Sequence, residues 1–490
     1  MIGRRSFLKA AGVSAASLAT GSGIAHAIAD VDWGRLASAL EGRLIRPQDS
    51  EYLQVVVAFF RQFDDRSPQA VAMCRSASDV QACLAFVQEA GVEYAIRGGG
   101  HSYQGYSNTS GLQIDLGEMN KISYDDKAGV VSVGAGVRSG QLPAALSPYG
   151  VMIPAPRCPA VGMSGFTLGG GLGFYGRKYG LASDRLIETE LVTADRRILT
   201  CDEAQNADAF WALRGGGGGN FGVNTEFKFK PFDVRGPSTI FQFLWKGKDP
   251  APILVAVQEA MSSAPHDLSS VAMLQVSEPL STGKPERPEL TLQGHYFGRK
   301  SHVRDILQPV IGRWRPTRQT VAEVGFWQAN TFLAHSMAVT GLTASKSSFL
   351  PAVSEAMAAQ AVSAVSEWPG SSLPEAGYAF LLWGGAYNEP KPSDTAFVHR
   401  NAESAGAWIT SWSSGDPRAL VKEGDGWLMR SWEASQKYAL PQSYQNIADT
   451  NMPNWLGRFY GKNLERLVEV KRKYDPEKFF DFPMAIPTQR

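Results

Sequence analysis

The run Arg97-Gly98-Gly99-Gly100-His101-Ser102 is the strongest chemical signal in the chain. Three glycines let the backbone take torsions and close approaches that a Cβ forbids. Their amides can form a nest around an anion such as pyrophosphate. A histidine directly after such a turn lies against whatever the nest holds, which is odd for a loop built only to turn. A hydrogen-bonded structural imidazole is the alternative reading. A second run, Pro156-Arg157-Cys158-Pro159-Ala160-Val161-Gly162, leads to Gly165, Thr167 and Leu168-Gly169-Gly170-Gly171-Leu172-Gly173. It lacks the preceding strand and the following acidic residue of a nicotinamide-binding Rossmann unit, and the Lys-Ser/Thr of a P-loop. A third run, Arg214 to Gly222, ends in Asn220-Phe221-Gly222. Three such loops in one module point to one long ligand with two phosphates.

The elements that must position these loops follow from periodicity. AVAMC, up to Cys74, reads as a buried strand, and SDVQACLAFVQEAG as a helix capped by Ser78 and ended by Gly91. The next strand runs into the first glycine turn. LQIDL and GVVSVGAGV are short strands, and VRSGQLPAALSPYG is a helix closed by Gly150. RLIETELVTADRRILTC gives two strands around a turn. Residues 50–235 therefore form an α+β module. From 236 to 440 the pattern changes to alternating runs, TIFQFLW, ELTLQGHYFG and YAFLLWGGAY, with helical stretches between them. An antiparallel sheet backed by helices is expected there. Residues 441–490 contain a helix with apolar positions at Leu464, Leu467, Val468 and Val470, then a polar tail.

Composition bounds the partners. With 490 residues, 44% hydrophobic and 19% charged, the chain is globular and long enough for two domains. No basic stripe suggests nucleic acid. Arg4, Arg5 and Lys9 precede a small, apolar run, and Ala25-His26-Ala27 offers a cleavage point. Residues 1–27 thus read as a twin-arginine signal peptide, which implies export, folded and often cofactor-loaded, to the periplasm or beyond. The alternative is a membrane anchor, but the run is interrupted and shorter than the ~20 apolar residues a span needs. Cleavage would remove three basic residues and no acidic one, taking the net charge from +1 to −2. The four cysteines, Cys74, Cys83, Cys158 and Cys201, fit neither a disulfide framework nor a zinc pattern. Cys74 and Cys83 read as free buried thiols.

In order and spacing, RGGGHS, CPAVG, GFTLGGGLG, RKYGL and FWALRGGGGGNFGV resemble the flavin domain of the berberine-bridge-enzyme-like oxidases, in the vanillyl-alcohol-oxidase superfamily. Gly384-Gly385-Ala386, Ala396-Phe397-Val398-His399-Arg400 and the closing SYQN…FYGKNLERLVEVKRKYDPEKFF resemble later segments of that family, so the likeness runs from about residue 50 to the end. It implies a PCMH-type FAD-binding fold with a second, substrate-binding domain. It also implies that His101 bonds the flavin 8α-methyl carbon and that Cys158 bonds C6. Tyr444 and Asn446 match a Tyr-x-Asn beside the isoalloxazine, with Tyr444 as base or substrate-orienting group. Arg97 to Ser102, Gly162 to Gly173 and Asp184 to Ile187 match stretches that contact FAD. Phe166 stands where many relatives have His, which implies a drier loop here.

The implied reaction is hydride transfer from a small organic donor (alcohol, sugar, amine or phenolic/polyketide) to doubly linked FAD, with dioxygen as acceptor and hydrogen peroxide as product. Histidyl and cysteinyl substituents make a flavin more electron-poor and prevent its loss outside the cell. A dehydrogenase with a non-oxygen acceptor, an oxidative cyclase or desaturase, and an exported binding protein without redox chemistry are the alternatives. His295 sits in an alternating strand that could line the substrate sheet, while His399 reads as structural. Trp383, Tyr387, Trp412, Trp427, Trp432 and Trp455 are expected mainly in the core, with some walling the pocket. Glu188 and Glu190 are expected on a solvated strand face.

Overall fold

A computed structural model gives the fold and describes residues 31–276, 288–335, 342–373 and 376–489. The expected signal peptide, residues 1–27, lies outside them.

Strand Ala70–Met73 is buried at every position, as its unbroken apolar sequence requires. It lies inside a four-stranded sheet ordered Arg43–Ile45, Ala70–Met73, Leu112–Asp115, Tyr94–Arg97. Leu112–Asp115 is parallel to both of its neighbours. Parallel pairing needs a crossover: helix Ala77–Ala90 carries the chain from Ala70–Met73 to Tyr94–Arg97, and segment 98–111 brings it back to Leu112–Asp115 between them. Gly91 ends that helix at φ 63°, but the cap is Ser76 rather than Ser78: its Oγ accepts the Asp79 amide at 3.2 Å. Asp79 is the third helical residue counted from Ser76, so its amide is one that the helix itself leaves unpaired. The thiols of Cys74 and Cys83 are free and buried, with sulfurs 3.8 Å apart.

A five-stranded antiparallel sheet completes this half, in the order Ile122–Asp125, Val130–Gly134, Val223–Phe229, Leu186–Val192, Ile198–Cys201. Glu188 pairs with Lys228 at 2.7 Å on its partly solvated face, and Glu190 accepts a hydrogen bond from the Thr225 hydroxyl.

Between Asp233 and Ser238 the chain passes to a seven-stranded antiparallel sheet. Its order is Arg318–Val324, Ser238–Trp245, Glu289–Tyr296, Leu268–Val276, Ala376–Leu382, Ser404–Trp412, Leu342–Leu350. Helices Pro250–Ser262, Lys300–Arg313, Glu355–Ser366 and Arg418–Ser435 pack against it and each other. Side chains alternate across a strand. Val271 and Met273, Ala379 and Leu381, and Ala405, Ala407 and Ile409 therefore share the face turned to the first half. The architecture is α+β.

The C-terminal helix Leu464–Tyr474 buries Leu464, Leu467, Val468 and Val470 and packs on helix Ala207–Leu213, just ahead of the third glycine run. Its buried Lys471 donates to Asp475 at 2.6 Å and to the carbonyls of Asn220 and Phe480, each at 2.7 Å. The terminal segment is thereby fixed over the third loop.

Candidate active site

A cavity of about 540 Å³ lies where the glycine loops, the inner face of the seven-stranded sheet and the C-terminal segment meet. Gly98, Gly99, Gly100, His101 and Ser102 line it from the first loop, and Cys158, Gly162 and Gly165 from the second. Gly217, Gly218, Gly219 and Asn220 line it from the third, and Tyr444 and Asn446 from the segment after the sheet. Three glycine runs separated in sequence do converge on one space. The first two touch backbone to backbone: a Cβ on Gly99 would lie 2.3 Å from the Gly162 nitrogen. Gly99→Ala is therefore expected to destabilise the fold by ~1–3 kcal/mol through overpacking, seen as a fall in Tm. An unchanged melting curve would contradict this contact.

His101 stacks on Phe59 with ring centroids 4.0 Å apart and meets Phe60 edge-on. Burial pushes its pKa down to about 4, so the imidazole is neutral. Its Nε2 is buried without a protein partner. Leaving a buried polar atom unpaired costs about 1–3 kcal/mol, which favours a ligand that engages this ring. Cys158 is a free thiol on the same cavity.

Tyr444 is placed by strand Leu342–Leu350. Its amide donates to Ser347 Oγ at 2.9 Å, and the Ser443 hydroxyl donates to the Ser347 carbonyl at 2.9 Å. The phenol oxygen accepts the Leu172 amide at 3.1 Å and Asn446 Nδ2 at 3.0 Å. With its acceptor sites used by these two donors, the phenol must aim its own proton elsewhere. Burial raises its pKa to about 12, against the pull of the same donors. Asn446 also donates to the Phe166 carbonyl at 3.0 Å, so it positions Tyr444 as well as bordering the cavity.

Several of the expected residues do not line this cavity. Arg97 turns away from the cavity and donates to the carbonyls of Val55, Val56 and Ser107. Thr167 is buried off the cavity. Gly169, Gly170 and Gly171 make room for the protein itself: a Cβ would collide with Asn446, Phe397 and Ala182, respectively. Gly173 packs against the Ala155 backbone. Ile187 is exposed on its strand. Asp184 accepts the Leu181 amide and a two-pronged pair of hydrogen bonds from Arg400, at 2.6 and 2.8 Å, that joins the halves of the molecule. Removing one partner of a buried ion pair costs ~3–5 kcal/mol. Asp184→Ala is therefore expected to lower Tm sharply, and a shift within error would contradict this role.

His295 and His399 are buried off the cavity among aromatic rings. None of Trp383, Tyr387, Trp412, Trp427, Trp432 and Trp455 lines it, because the floor is built from small and aliphatic side chains. Tyr103 and Arg157 do line it and were not singled out from sequence. Tyr103 stands two residues after His101 in the turn that follows the glycine run, close enough in sequence to have marked it.

The glycine-walled end, the unpaired imidazole and the adjacent thiol fit FAD. The model of the FAD binding domain family matches residues 68–202, and the berberine and berberine-like model matches residues 443–487. The glucooligosaccharide oxidase of Sarocladium strictum is 30% identical over 466 residues, covering 88% of this chain and 90% of that protein. This chain is a berberine-bridge-enzyme-like FAD-linked oxidoreductase. The FAD-linked oxidoreductase YgaK of Bacillus subtilis is also 30% identical, over 92% of the enzyme and 98% of YgaK. Among solved structures, the Physcomitrella patens BBE-like 1 protein superposes with a TM-score of 0.83 at 29% identity, covering 93% of the enzyme and 99% of that chain. No helix among the enzyme's described residues is long and apolar enough to cross a membrane.

Proposed function

We propose that the enzyme is an oxidase of a small organic substrate, with FAD held covalently through both His101 and Cys158, dioxygen as final acceptor and hydrogen peroxide as product. The observation that carries this reading is the meeting of His101, Cys158 and Tyr444 on one cavity. The oxidase named among its relatives supports the same assignment. When bound, the flavin supplies the hydride acceptor and the two-electron reductant of dioxygen.

The protein's own residues do the rest. The neutral ring of His101 and the thiol of Cys158 would anchor the cofactor, and the glycine loops would take its phosphates. Tyr444 points its proton toward the cavity and donates a hydrogen bond to the substrate heteroatom. In its ionised form the same oxygen takes the O–H or N–H proton as hydride leaves carbon, and the donors from the Leu172 amide and Asn446 stabilise the phenolate until that transfer neutralises it. The apolar sheet floor excludes water from the reacting atoms. A twin-arginine export signal in residues 1–27 fits a cofactor that must survive outside the cytoplasm.

Anaerobically reduced enzyme mixed with aerated buffer tests the acceptor. Reoxidation within seconds, with one peroxide per flavin, is expected. Reduced enzyme that persists for minutes in air would overturn the oxidase reading in favour of a dehydrogenase.

A further inference from the structure

We propose that the substrate is an apolar ring compound bearing one anionic oxygen group, a carboxylate or an ionised phenol, which Arg157 holds while the ring lies on the sheet floor. This deepens the reading above and rests on it, because it takes the space between flavin and sheet as the substrate site.

The floor is the first observation. Val271, Met273, Ala379, Leu381, Ala405 and Ile409 present aliphatic carbon to the cavity from three adjacent strands. The serines bordering them are committed to the protein. Ser345 Oγ donates to the Trp408 carbonyl at 2.9 Å, and Ser347 Oγ accepts the Tyr444 amide. A donor with a hydroxyl on every carbon would surrender its water hydrogen bonds there without replacement, at about 1–3 kcal/mol for each group left unpaired. A flat hydrocarbon ring meets no such penalty.

Arg157 is the second, independent observation. It lines the same cavity, and its guanidinium carbon lies 5.4 Å from the centre of the Phe174 ring. It retains accessible surface although protein encloses it, so that surface faces the cavity. Burial lowers its pKa only to about 10, which leaves it charged at neutral pH. Other enclosed arginines have partners: Arg177 donates to the carbonyls of Met261 and Ala264, and Arg400 to Asp184. Among the described residues Arg157 pairs with no carboxylate and donates no hydrogen bond to a protein acceptor. An enclosed cation without a counter-charge is costly, and a planar guanidinium fork matches a carboxylate. Its neighbour in sequence, Cys158, sets this charge at the proposed attachment edge, beside the reacting end of the site.

The test uses purified holoenzyme. Dissociation constants for benzoate, 4-nitrophenolate, the neutral isostere benzamide, and cellobiose are measured by calorimetry and by perturbation of the visible flavin band. At least one anion is expected to bind tenfold or more tighter than benzamide, and which one does so separates the carboxylate from the phenolate source. Cellobiose is expected not to bind. Arg157→Gln is expected to abolish the preference for the anion while flavin content and benzamide affinity stay unchanged, and Arg157→Lys to keep part of it. Equal binding of anion and amide, tight cellobiose binding, or an anion preference that survives in Arg157→Gln would overturn the proposal. Loss of flavin from Arg157→Gln would also overturn it, by making Arg157 a cofactor ligand. Wild-type protein without flavin would overturn both this proposal and the reading beneath it, and the absorbance spectrum shows that before any probe is added.

Discussion

Replacing Tyr444 by Phe is expected to lower turnover by about 10²–10⁴-fold, the usual contribution of a positioned acid or base. The substitution removes only the oxygen on which the Leu172 amide and Asn446 converge, and leaves the ring packed against Phe397. Substrate affinity is expected to change far less than turnover, and flavin content not at all. The pH dependence gives a second readout. Burial raises the Tyr444 pKa to about 12, and in the proposed mechanism the ionised phenol is the active form. The wild-type rate at low substrate should therefore climb as pH rises through the neutral and alkaline range, since each step in that direction increases the ionised fraction. Tyr444→Phe should have lost that rise. A variant that keeps a tenth or more of the turnover, or keeps the alkaline limb, would assign proton removal to another group.

The second large effect concerns the tethers. With His101→Ala or Cys158→Ala alone, flavin is expected to stay with the denatured chain through the remaining link. With both, all of it should be released. Each lost link is also expected to make the flavin less electron-poor, so hydride transfer should slow in every variant. His101 packs between Phe59 and Phe60, and its truncation opens a gap there. Thermal melting of each variant separates misfolding from loss of the bond. Covalent flavin in the double variant would place the attachment elsewhere; free flavin in His101→Ala would remove the Cys158 link, and free flavin in Cys158→Ala the His101 link.

The site was legible where residue type itself limits the chemistry. A glycine triplet followed by histidine left few roles for His101, and the structure places that ring on the cavity with an unpaired nitrogen. Alternating runs foretold the antiparallel sheet, because a half-buried strand must alternate. Legibility failed where the deciding partner is distant in the chain. The pattern Gly169-Gly170-Gly171 says that no Cβ is tolerated, but not what occupies the space, which is Asn446, Phe397 and Ala182. Asp184 belongs to the interface between halves because Arg400 lies opposite it. That pairing leaves no local trace. The tryptophans of the second half signalled apolar surroundings without saying which face they take, and the cavity floor went to smaller side chains. Arg157 gains meaning only in the folded chain, where no carboxylate among the described residues pairs with it. Ser76 and Ser78 compete for one cap in sequence, and the Asp79 amide decides between them.

Mass spectrometry of the purified, denatured wild-type protein tests the central claim most directly. The expected result is a chain heavier than its polypeptide by one FAD, with yellow colour that stays in the acid-precipitated protein. Digestion should then yield flavin on both the His101 and the Cys158 peptides. A chain at its bare polypeptide mass, with all the flavin in the supernatant, would contradict it.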